Sequence, residues 1–85
     1  MILKVFGIYD SKAEAYLPPF MMKSKGEAIR AITNHIEDPN HNFCKYASDF
    51  ILFELGSWDD SNAHYDLLVA PMSIGGFHEF KRTQT

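Results

Sequence analysis

The sequence predicts an α+β fold, one main helix packed on an antiparallel sheet of about four strands in β-β-α-β-β order. Three observations predict it. The segments "ILKVFGIY" at 2–9 and "FILFELGSW" at 50–58 are apolar at almost every position and rich in β-branched and aromatic residues, as strands covered on both faces are. Between them, "SKGEAIRAITNHIE" at 24–37 repeats its isoleucines at helical spacing. "DDSN" at 59–62 then supplies turn chemistry ahead of an alternating segment, which marks a hairpin.

In chain order, 2–9 reads as a central strand, with Gly7 a bulge or a point of close backbone approach. "DSKAEA" is a connection, the tip of a long hairpin. "YLPPFMM" is extended, and because proline donates no backbone hydrogen bond it joins a sheet at an edge or only after Pro19. Ser24 caps the helix and Glu27, three residues on, closes a capping box. Ile29, Ile32 and Ile36 form its apolar stripe with Ala28 and Ala31. Asp38 precedes Pro39, so the helix ends near residue 37. "DPNHNFCKYASD" reads as a polar connection. After the second long strand and its turn, "AHYDLLVA" alternates as a hairpin partner, Pro71 and Gly75-Gly76 loosen the chain, and "FHEFKRTQT" adds a short strand or frays.

Eighty-five residues form one domain, 1–85, with 81–85 a frayed tail, since a second core would bury too little apolar surface to offset chain entropy. A chain this small is marginally stable alone, which predicts self-association as a dimer. The single Cys44 forms no internal disulfide and fits a reducing compartment. The start lacks a signal-peptide core, and no run approaches the roughly 20 apolar residues that span a bilayer. The expectation is a soluble protein of the cytoplasm with no membrane partner.

Net charge is −3, which disfavours a general nucleic-acid binder. The charge is uneven, however. Residues 1–35 carry five Lys/Arg against three acids, whereas 36–80 carry Lys45 against eight. Such polarity predicts one basic face.

His35, His41 and Cys44 have metal-ligand chemistry, but their spacing matches no compact zinc motif and a fourth ligand is wanting. Cys44 with a histidine lacks an oxyanion hole and an orienting group. Asp59-Asp60-Ser61-Asn62 is a turn rather than a calcium loop. No cofactor and no enzyme activity are expected. Pro18-Pro19 is a rigid strand entry, not a P-x-x-P ligand. Tyr9, Tyr16 and Phe20 have two explanations. Core packing suits Phe20; the other is a stacking platform for unpaired bases, with Lys12, Lys23, Lys25 and Arg30 tracking phosphates and the helix N-terminus receiving one of them.

The strings "YDSKAEAYLPPF", "KGEAIRA" and "LFELGSWDD" follow one another within roughly residues 5–62. In this they resemble the small non-structural protein of gokushovirus-type microviruses, phages with single-stranded DNA genomes. The resemblance implies a non-structural protein of the host cytoplasm, connected with genome replication and binding single-stranded DNA. It carries over no catalytic residues. Combined with the rings and cations, it gives Tyr9, Lys12, Tyr16, Lys23, Lys25 and Arg30 as the expected nucleic-acid site, with replication proteins as further partners. The alternative is a non-enzymatic interaction protein that binds a replication component through the acidic second half, around Asp59, Asp60 and Asp66.

Overall fold

The computed structural model describes residues 1–81. The order is β1 (Ile2–Asp10), β2 (Ala15–Tyr16), β3 (Phe20–Met22), α1 (Lys25–Ile36), α2 (Asn42–Lys45), a 3-10 turn (Ala47–Asp49), β4 (Phe50–Asp59), β5 (His64–Gly76) and α3 (Phe77–Phe80). The α+β class holds. The sheet is antiparallel and curls into a half-barrel, with strand order β2-β1-β4-β5 and β3 also paired to β1.

β1 is central because its apolar residues are wanted on both faces. β4 covers one of its edges from Ile2 to Asp10. The other edge is shared: Tyr9 and Asp10 pair with β2, while Lys4, Val5 and Phe6 pair with β3. The chain leaves the ladder at Pro18-Pro19 and rejoins at Phe20, as the missing proline donors require. The register slips between Val5 and Phe6, where Leu55 is the extra residue on β4, so the expected irregularity falls beside Gly7 rather than at it.

α1 begins where its cap predicts. Ser24 Oγ accepts from the Glu27 N–H at 3.2 Å. The Glu27 carboxylate reaches one residue further back than a capping box requires and accepts from the Lys23 N–H, also at 3.2 Å. Ala28, Ile32 and Ile36 are buried against Phe6, Ile8, Phe50 and Leu52. Phe77, fully buried, completes this core, with Phe43 at 4.9 Å from both Phe50 and Phe77 in edge-on ring contacts.

Three expectations are corrected here. The helix is not single: the connection after α1 coils into α2 and the 3-10 turn, because Phe43 and Ala47 need to face the core. Pro71, Gly75 and Gly76 do not end the strand; β5 runs through them as an edge strand, with Pro71 inside the bulge opposite Glu54–Gly56 and Gly75 and Gly76 paired in register with Leu52 and Ile51. "FHEF" is helical rather than extended or frayed, with the Gly76 N–H donating to Glu79 Oε2 at 3.1 Å and Phe77 and Phe80 turned to the core side. Of the expected tail at 81–85, residues 82–85 lie outside the described residues. No helix among the described residues is long and apolar enough to cross a membrane.

Candidate nucleic-acid interface

Alternation along β1 divides its side chains between two faces. Phe6 and Ile8 point to the core, where the buried side chains of α1 and α3 gather with Phe43 of α2 packed beside them, so Gly7 and Tyr9 belong to the opposite face. There Tyr9 pairs directly with Tyr16 of β2, and Gly7 pairs with Phe53 of β4. The Tyr9 and Tyr16 rings meet edge-on at 5.0 Å, and Tyr16 meets Phe53 edge-on at 5.7 Å. Tyr16 remains 46% exposed. Gly7 lies beneath them, and a Cβ there would come within 3.4 Å of Tyr16 Cδ1. The result is a cluster of three rings on the face the helices leave open.

Lys12 stands in the turn that joins the two tyrosine-bearing strands. That turn is fixed by Asp10 Oδ1, which accepts from the Lys12 N–H at 3.0 Å and the Ala13 N–H at 3.3 Å, and by Glu14 at φ 55°. Lys12 borders a shallow hollow with Asp10, Tyr46 and Asp49, so carboxylates neighbour it. The Tyr46 ring is exposed there.

The remaining predicted cations sit elsewhere. Lys23 and Lys25 flank the Ser24 cap at the opposite end of β1, since Met22 pairs with Lys4 whereas Ala15 pairs with Asp10. Six strand positions separate the two ends, roughly 20 Å at the usual rise. Arg30 lies further along α1, beside Ile29, Thr33 and Phe80. The structure thus joins Tyr9 and Tyr16, whereas Lys12 borders a hollow with Asn42, Tyr46 and Phe50 on the helix side of the adjoining turn, and Lys23, Lys25 and Arg30 lie before and along α1. The Glu27 carboxylate lies at the start of that helix, where it accepts from the Lys23 N–H ahead of the cap, so a negative charge already faces the helix N-terminus.

Phe53 and Tyr46 escaped the sequence reading. Phe53 lies in a run apolar at both parities, and only its register opposite Gly7 places it with the tyrosines. Phe20, by contrast, packs toward the core as expected, 5.7 Å from Phe6 in a stacked contact.

The acids of the second half are partly occupied. Asp59 Oδ1 accepts from the Ser61 N–H at 2.9 Å and the Ser61 hydroxyl at 2.7 Å, and these bonds hold its carboxyl below the ordinary value. Asp60 Oδ1 accepts from the Met1 amino group at 2.6 Å. His35 and His41 rings lie 4.6 Å apart, and His41 Nδ1 caps α2 by accepting from the Phe43 N–H at 3.0 Å. Among the described residues, no three His, Cys, Asp or Glu side chains converge as metal ligands.

The family model described as Phage ORF5 protein matches residues 3–80. No curated protein matches the chain, and no solved structure does.

Proposed function

The chain belongs to the Phage ORF5 protein family, and from that premise we propose that it binds single-stranded DNA, with little sequence preference, during replication of a gokushovirus-type phage genome. The observation that carries the proposal is the Tyr9–Tyr16–Phe53 ring cluster on the open sheet face, with Lys12 in the adjoining turn. Unpaired bases present flat faces that any ring can stack on, whatever the base. Tyr16 is the ring best placed to receive one, because it is the most exposed of the three. Lys12 neutralises a phosphate of the strand so bound. Lys23, Lys25 and Arg30 meet the strand several nucleotides away, a span compatible with site sizes of about 4–16 nucleotides in sheet-based binders. The overall charge of −3 keeps this binding weak and salt-sensitive rather than general.

Fluorescence anisotropy with unstructured and duplex oligonucleotides over a salt series tests the proposal. Expected are preference for the single strand and a log–log salt slope of about −0.7 for each phosphate neutralised. Absence of binding at low salt, or equal affinity for duplex, contradicts it.

A further inference from the structure

β5 forms the free edge of the sheet on the side away from β2 and β3, and it carries an unusual concentration of uncovered apolar side chains. Tyr65, Leu67, Leu68, Val69 and Met72 are all exposed, Leu67 at 62% and Val69 completely. The cause is the mismatch with β4. Between the pairs Gly56–Leu67 and Glu54–Met72, β4 contributes one residue and β5 contributes four, 68–71. The surplus bulges out of the ladder and carries Val69 outward. Beside it lies an open groove of about 230 Å³ bordered by Ile2, Leu67 and Leu68, with Lys4, Glu54 and Asp66 at its polar side.

We propose that this bulged edge is the contact surface for a second copy of the chain, in a two-fold dimer in which Val69 of each protomer seats in the other's groove. The exposed apolar side chains here and Ile2 together present on the order of 600 Å², at the upper end of the largest patches monomers leave bare and somewhat below the ~800 Å² per partner of standard interfaces. A two-fold contact sets a surface against itself, so a charged strip would repel its copy. Residues 67–77 contain no Lys, Arg, Asp or Glu. Knob and groove are adjacent on one surface, as such symmetry requires. Pro71 and the bulge deny a continuous backbone ladder, which favours a closed pair over open-ended strand addition. Nucleic acid does not fit this surface, since its one cation, Lys4, is held 3.6 Å from Glu54.

Sedimentation equilibrium over a concentration series from the micromolar range upward tests the inference. The expected mass is twice the 9.7 kDa chain. Val69→Asp is expected to raise the dissociation constant at least ~30-fold, as loss of a hot-spot residue does, while Val69→Ile leaves it close to wild type. The far-UV circular dichroism of Val69→Asp should be unchanged, because the side chain is fully exposed among the described residues. A wild-type monomer at every concentration overturns the proposal, including one that co-sediments with phosphatidylglycerol vesicles. So does a dimer that Val69→Asp and Met72→Asp leave as tight as before. DNA takes no part in this experiment, so its outcome is separate from that of the binding assay.

Discussion

At Gly7 the backbone of β1 runs so close to its neighbours that a Cβ would stand 2.9 Å from Leu55 Cδ1, and Tyr16 lies across the same space. Gly7→Ala is therefore expected to cost only about 1 kcal/mol, the low end for overpacking because the Leu55 methyl can turn aside, and to change the environment of the Tyr16 ring 3.4 Å from the new Cβ. Urea denaturation reads the first effect and ring chemical shifts the second. Tyr16→Ala should behave oppositely, weakening single-strand binding about tenfold, as loss of one stacked base contact does, with only a small change in stability. Asp59 makes a pH prediction. Its carboxyl is held below the ordinary value, first by the Ser61 N–H and then by the Ser61 hydroxyl. A depressed carboxyl stabilises above its unfolded value and loses that contribution as pH falls through its folded value. The turn at 59–62 should thus keep its structure at neutral and mildly acidic pH and loosen only in acid below the ordinary carboxylate range, followed through the Ser61 amide resonance. A Ser61 amide that shifts instead near neutral pH would contradict the assignment.

At the level of elements, local chemistry was legible where one residue dictates the outcome. Ser24 opens α1, Asp38-Pro39 closes it, and Asp59 builds the turn between β4 and β5. Ser24→Ala is expected to cost about 1 kcal/mol by freeing the Glu27 N–H, measurable as a shift in the denaturation midpoint. What sequence alone did not show depends on contacts distant in the chain. "NFCK" is too short and polar to carry a helical period, and only the docking of Phe43 on Phe50 and Phe77 makes it coil. Pro71 is a breaker in a central strand, but β5 is an edge, where its missing donor is tolerated in a bulge, while Gly75 and Gly76 stay paired and leave room for Glu79, Phe80 and His78 of α3. Gly56 is part of the same arrangement. Its φ of 155° suits glycine, and a side chain there would collide with the Asp66 carbonyl, so two irregular strands remain paired only because this position is bare.

Across the whole molecule, one aromatic-rich core determines which surfaces are left over. The helices close over Phe6, Phe50, Leu52 and Phe77, and the opposite sheet face keeps Tyr9, Tyr16 and Phe53. Truncating the centre of that core by Phe77→Ala should cost about 3–5 kcal/mol, visible in thermal unfolding. The separation of charge along the chain does not survive folding as one basic face. Lys4 folds beside Glu54, Lys12 beside Asp10 and Asp49, and the helix cations form a group of their own. Sequence reading thus named two of the three rings that cluster, while the register of β4 was needed to add Phe53. The most direct test of that site is a heteronuclear NMR titration with an oligothymidylate. Ring resonances of Tyr9, Tyr16 and Phe53 and the amide of Lys12 should shift first and most, with smaller changes at Lys23, Lys25 and Arg30. Shifts confined to α1 or β5, with the three rings unmoved at saturation, would contradict the assignment.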